Sequence, residues 1–257
     1  MIFDADTHIS PYKNFPEATS AEMLDERLAQ AGIDRALTWL LPQEVDDVSE
    51  SNRYIYDSSR KYDRFIPFGW ANVIEGEDKA VQDAIICLEE YGFAGVKLNG
   101  AQNYYPIDGL PAMHVCEEIA RRNGIIAFHI GYDEPIMTSP FRAATVANAF
   151  PETTVLMVHM GGASPCERNN AGNVIGVAKL CPNMMLIGSA IGTEDVRRAI
   201  LELGSDRVMF GSDTPFRNPA DCVRAYEEML ADFDPADREN VLFGNALRLF
   251  KFGVKRS

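Results

Sequence analysis

Asp4, Asp6 and His8 stand at every second position of the opening stretch "FDADTHI". In an extended strand that spacing puts all three side chains on one face. Two carboxylates and an imidazole buried together are costly unless something offsets their charge, and a bound metal ion is the commonest solution. The chain holds only four histidines. Three of them (His8, His129 and His159) end apolar runs, as do Lys97 and Asp213. Asp6, His8, His129 and Asp213 would supply two imidazoles and two carboxylates to one divalent ion. That set suits Zn2+ first and Mn2+ as the alternative, and it leaves a position for water or a substrate oxygen. His159 then stands beside the ion, either supporting its ligands or acting as a catalytic imidazole. Each residue has a plainer explanation when taken alone. Asp213, before "TP", has the chemistry of a helix cap. His114 serves as a control: it lies inside a helical stretch with Glu117 and Glu118 three and four positions on, as a solvated surface residue does.

Such residues meet only if the chain brings its apolar runs together. The sequence repeats one unit: an amphipathic helix, a glycine, then a short apolar run. In "TSAEMLDERLAQAG", Thr19 and Glu22 form a capping box, Met23, Leu24, Leu28 and Ala31 an apolar face, and Gly32 the stop. Gly92, Gly124 and Gly204 end later helices in the same way. Strand candidates begin near Ile2, Ile33, Phe65, Phe93, Ile125, Thr153, Met184 and Arg207. The steps are roughly thirty residues, the length of a βα unit. Repeated units of that kind imply a parallel α/β fold, a (β/α)8 TIM barrel, as one domain over residues 1–257 with a C-terminal helix. The rival, an open doubly wound sheet, lacks a GxGxxG or P-loop sequence after any strand. In a barrel the strand ends converge at the C-terminal mouth, where active sites are built.

Composition narrows the function. With 46% hydrophobic and 24% charged residues the chain is globular, and its net charge of −14 argues against nucleic acid or an anionic membrane surface as partner. No apolar run approaches the ~20 residues of a membrane span, and no basic region precedes the first strand, so no secretory leader is expected. The five cysteines are scattered, odd in number and without a CxxC pair. That pattern reads as reduced thiols in a cytoplasmic protein, with Cys87 and Cys116 as core filler.

Six segments, in order, resemble the amidohydrolase superfamily, and within it the amidohydrolase-related (family 2) branch of TIM-barrel metal enzymes. They are "IFDADTHI", "GFAGVKLNG", "IIAFHIG", "TTVLMVHMGG", "RVMFGSDTP" and the closing "NVLFGNALRLF". The resemblance implies metal binding by the first-strand pair, His129 and Asp213, a substrate-orienting His159, and proton transfer at Asp213. One position departs from the family pattern, because Asp6 stands where that pair usually begins with histidine. A carboxylate there adds negative charge and weakens the ion as a Lewis acid. The family's non-oxidative decarboxylases of aromatic acids carry a similar opening with Glu. Lys97 occupies the position where related two-metal hydrolases carry a carbamylated lysine; as an ordinary cation it would face an anionic substrate.

The first functional expectation is therefore a metal-dependent hydrolase that attacks an amide, ester or lactone with a metal-activated water. The second is a decarboxylase of the same architecture, favoured by Asp6 and disfavoured by the short loops. A third is a barrel that has lost catalysis and binds a ligand. The substrate is a small molecule in each case, held by Lys97, Asn99, Tyr132, Arg142, Phe216 and Arg217 in a pocket with aromatic walls and cations. Barrels that resemble this one are frequently dimers, so a homodimer is one assembly open to the chain.

Overall fold

A computed structural model describes residues 1–13, 17–41, 48–166 and 168–251 of the protein. Pro42, at the end of the second apolar run, and the last six residues of the expected domain lie outside these. Among the described residues nine parallel segments form the sheet: β1 (Phe3–Ile9), β2 (Arg35–Leu40), β3 (Phe65–Pro67), β4 (Gly69–Trp70), β5 (Gly95–Leu98), β6 (Ile125–His129), β7 (Val155–Val158), β8 (Met184–Ile187) and β9 (Val208–Met209). They pair in chain order, β1 to β3 and β4 to β9. β3 and β4 are halves of one strand, and the Phe68 N–H between them still bonds Thr38 O at 3.0 Å. The ring closes where β1 meets the end of β9. There Ala5 N donates to Phe210 O at 2.9 Å, Asp213 N to Asp6 O at 3.0 Å and His8 N to Thr214 O at 2.9 Å. The fold is the expected (β/α)8 barrel, and every expected strand start lies within two residues of the observed one.

Helices α1 (Ala21–Gln30), α2 (Val48–Lys61), α3 (Glu77–Ile85), α4 (Gly100–Asn103), α5 (Leu110–Arg121) and α6 (Pro140–Ala149) follow the earlier strands. The later ones are α7 (Ala171–Leu180), α8 (Thr193–Leu203), α9 (Pro219–Met229), α10 (Pro235–Glu239) and α11 (Asn245–Phe250). Ser20, one residue after the expected Thr19, caps α1 by accepting from Met23 N at 3.2 Å. Gly32 stops that helix at φ +73°, a conformation that suits a residue without Cβ. At the end of α5 the left-handed position falls on Asn123 (φ +56°), and Gly124 answers a different need. A Cβ there would sit 2.9 Å from Ile119 Cγ2.

Two apolar cores result. One lies between barrel and helices and includes Cys87 and Cys116. The other fills the tube: Phe3, Phe68, Leu156 and Met209 pack on Phe243, Ala246 and Phe250, so the C-terminal segment plugs the N-terminal end. Among the described residues no helix is long and apolar enough to cross a membrane.

Candidate metal centre

β1 is buried along all seven residues, but its polar side chains do not share one face. The pairing with β2 slips between Asp4 and Thr7, so the strand carries one extra residue there. Asp6 and His8 turn into the barrel mouth. Asp4 instead ties the closing seam, its Oδ1 accepting from Asp6 N at 3.1 Å and Ser212 N at 2.8 Å. Burial pushes its carboxyl up to about 7, against the pull of the Ser212 hydrogen bonds. The expected three-residue face is thus a two-residue face, because period-two alternation fails across a bulge.

Inside the mouth, the Nδ1–H of His8 donates to Leu40 O at 2.7 Å. A carbonyl only accepts, so this bond fixes the tautomer and turns Nε2 toward the site. Around Nε2 stand Asp6 Oδ1 at 3.2 Å, Asp213 Oδ1 at 3.5 Å and the Trp39 Nε1 donor at 3.2 Å. One ring nitrogen cannot satisfy two carboxylates and an N–H donor together, whereas a cation between them would neutralise the carboxylates. Burial opposes charging His8, yet the bonds to Asp213 and Asp6 raise its pKa. Burial also opposes ionisation of Asp6, but Lys97, His159 and His8 overcome it and hold that carboxyl far below the usual range.

His159 follows β7 with φ +70°. Ser189, just after β8, donates to Asp6 Oδ2 at 2.5 Å, so its oxygen accepts from His159 Nδ1–H at 2.9 Å. That chain leaves the Nε2 lone pair of His159 free. Burial, only partly countered by Asp213 and Asp6, lowers its pKa to about 4, so the ring is neutral near pH 7. One ligand atom each from Asp6, His159 and Asp213 lies within 4.8 Å of the other two. The donor set, two carboxylates with the neutral imidazole of His159, fits a divalent ion.

His129 is placed differently from the sequence expectation. Its ring meets His159 edge-on at 4.6 Å between centroids. Its Nε2, however, faces both oxygens of Asp133 at 2.8 and 3.1 Å, so the place in the tight triad belongs to His159. Gly131 permits this pair, since a Cβ there would lie 2.0 Å from Asp133 Oδ1. Asp213 does not cap a helix; it ends the barrel seam at φ +63°, and Asn218 caps α9.

Lys97 reaches in from β5, its Nζ 3.9 Å from Asp6 Oδ1 and 3.8 Å from the Trp39 ring centroid. Burial lowers its pKa to about 8 against the pull of Asp6 and Asp213. Contact with the indole face stabilises a cation and would disfavour the carboxylate of a carbamylated lysine. Two other expected substrate contacts are spent on structure. The Asn99 side-chain oxygen caps α4 by accepting from Gln102 N at 3.0 Å. Arg142 is bonded to Asp108 and to Ile136 O, clasping two loops. Phe216 stands over the mouth with its ring edge-on to His8 at 5.9 Å, Tyr132 is half-buried, and Arg217 is exposed on the rim. Exposure falls from Asp213 (9%) and His129 (8%) to Asp6 (0%), so a ligand would enter on the Asp213 side.

Sequence reasoning overlooked Trp39, Ser189 and Asp133. The signals were present: the two tryptophans end adjacent strands, Ser189 follows the seventh, and Asp133 lies four residues beyond His129.

A family profile described as amidohydrolase matches residues 4–252. A gamma-resorcylate decarboxylase from Polaromonas sp. is 22% identical over 94% of this chain and 92% of its own length. In fold, the chain resembles 2,6-dihydroxybenzoate decarboxylase complexed with 2,6-dihydroxybenzoate, with TM-score 0.74, 19% identity, and coverage of 98% of this chain and 99% of that one. It also resembles a Polaromonas dihydroxybenzoic acid decarboxylase with bound manganese and 2-nitroresorcinol, with TM-score 0.71, 19% identity, and coverage of 97% and 96%.

Proposed function

The chain belongs to the amidohydrolase family, and from that premise we propose a metal-dependent, non-oxidative decarboxylase of a small aromatic or unsaturated carboxylic acid bearing an oxygen beside its carboxylate. The observation that carries this reading is the buried Asp6 carboxylate within the convergence of His8, His159 and Asp213. A second carboxylate makes an ion poorer at ionising water and leaves it able to hold an anionic substrate. The curated relative's activity supports the same choice over hydrolysis.

Asp6, His159 and Asp213, with His8 against both carboxylates, would hold the ion. Manganese comes first, given the metal in the Polaromonas structure and the oxygen-rich donors. When bound, the ion supplies positive charge and Lewis acidity to the substrate carboxylate and its neighbouring oxygen. Asp213, at the accessible edge, delivers a proton to the ring carbon that bears the carboxylate. The bond to the carboxylate then breaks, its electron pair returns to the ring, CO2 leaves and solvent reprotonates Asp213. Ser189 accepts the Nδ1–H of His159 and so leaves the Nε2 lone pair of that neutral ring for the ion. Lys97 offsets the charge that Asp6 and the substrate bring together. The five free cysteines suit a reducing cytoplasm.

The test is CO2 release from 2,6-dihydroxybenzoate and related hydroxybenzoates by manganese-loaded protein, with Asp213→Asn as the control. CO2 release that depends on Asp213 supports the reading. Hydrolysis of an amide or lactone without CO2 from any hydroxybenzoate would overturn it.

A further inference from the structure

A cavity of about 290 Å3 lies on the rim beside the metal centre, lined by Gly162, Ser164, Arg168, Ala190, Gly192 and Arg217 among others. Its walls are chain neighbours of the site. Gly162 comes three residues after His159, Ala190 directly follows Ser189, and Arg217 lies four beyond Asp213. The loops after β7 and β8 touch there, since a Cβ on Gly162 would meet Ala190 O at 2.5 Å. In barrels of this type the loops after the last two strands frequently make a phosphate site, and here Ala190 and Gly192 follow β8 and Arg217 follows β9.

The arginines single this cavity out. In a chain of net charge −14, acidic partners are plentiful. Arg53, Arg64, Arg121, Arg122, Arg142, Arg197, Arg198 and Arg224 each pair with a carboxylate. The remaining described arginines bond carbonyls or polar side chains or, in the case of Arg60, pack on a ring. Among the described residues only Arg168 and Arg217 have no such partner, and both line this cavity. The nearby Asp195 is engaged by the Asn169 amide at 2.8 Å. Two guanidinium groups facing one space, unmatched by an acid among the described residues, are the chemistry of a carboxylate site.

We propose that this cavity binds a second anionic group of the substrate, a carboxylate in class, while the metal centre holds the reacting one. The substrate is then a dicarboxylate whose distal group is read by Arg168 and Arg217. This rests on the decarboxylase reading.

Titration calorimetry on manganese-loaded protein compares salicylate with 4-hydroxyisophthalate, which is salicylate with a second carboxylate. The wild type is expected to bind the dicarboxylate about tenfold more tightly, and Arg168→Gln and Arg217→Gln each to bring the ratio of the two dissociation constants toward one. Equal affinities in wild type, or a preference that survives both substitutions, overturns the subsite. If salicylate binds whether or not the dicarboxylate gains, the chelating half of the site stands. An arginine-dependent dicarboxylate complex without salicylate binding keeps the subsite and sinks the metal-chelate reading. No binding of either overturns both.

Discussion

The two ends of one tube are built on opposite principles. At the N-terminal end, Phe250 stacks on Phe3 at 5.5 Å and meets Phe68 edge-on at 6.5 Å, with Phe243 and Ala246 beside them. Apolar burial dominates that plug, and the buried Asn245 amide pins it by donating to Ser205 O and Val208 O at 2.8 Å. At the mouth, Asp6, His8, Lys97, His159 and Asp213 are all buried, and each is held by named partners. The backbone differs as well. His159, Met160, Ala163, Ala190 and Asp213 all take positive φ at or just beyond the ends of the last three strands. Conformations of that kind cost energy and persist where the surroundings enforce them, which is typical of sites rather than of packing. Stability and chemistry are therefore separable along the barrel axis, and substitutions can test the separation.

The largest effect is expected from Asp213→Asn, with decarboxylation reduced about a thousandfold while the melting temperature stays within a few degrees. A variant that loses activity only by unfolding would remove the distinction between the ends. The mirror case is Phe250→Ala, expected to cost about 3 kcal/mol of stability in denaturant titrations. Its kcat/KM should match wild type below the unfolding transition; a parallel loss of turnover would show that the ends are coupled.

Acid titration of chelator-treated protein sharpens the comparison. Below its ordinary value near 6.5, an unfolded His159 takes a proton that the buried ring refuses until about pH 4. Stability should fall across that window as pH drops, by about 3 kcal/mol at most. Asp4, held near 7, acts in the opposite sense, losing stability as pH rises. The difference between wild type and His159→Gln isolates the histidine: the variant's melting temperature should depend less steeply on acid, and identical slopes would refute the assignment. The smallest effect is expected from Ser189→Ala, which frees the His159 ring and one oxygen of Asp6. Metal affinity, measured by competition with a chelator, should weaken roughly tenfold; no change would make that hydroxyl incidental.

The barrel was legible because βα units repeat and glycines mark helix ends, and the mouth was legible because histidines are scarce and fall on strand ends. What escaped depended on partners far away in the chain. The β1 bulge is defined only against β2, so nothing local separates Asp4 from Asp6. Trp39 reads as an ordinary core residue until its N–H is seen bonding Asp6 and His8. Arg142 and Asn99 have the chemistry of substrate contacts, yet a loop carboxylate and a helix N-terminus claim them first. His129 ends its strand as expected, but Asp133 takes the nitrogen assigned to the ion.

The closing seam has a bearing on biosynthesis. Asp4 and Ser212, which share a hydrogen bond there, stand 208 residues apart. On a ribosome, the first strand emerges long before the last one is translated. The carboxylates of Asp6 and Asp213 cannot face each other until β9 is made and the ring shuts. A nascent chain stopped short of β9 keeps His159 and Ser189 but lacks Asp213. An ion held by this set would therefore load late, into a finished barrel.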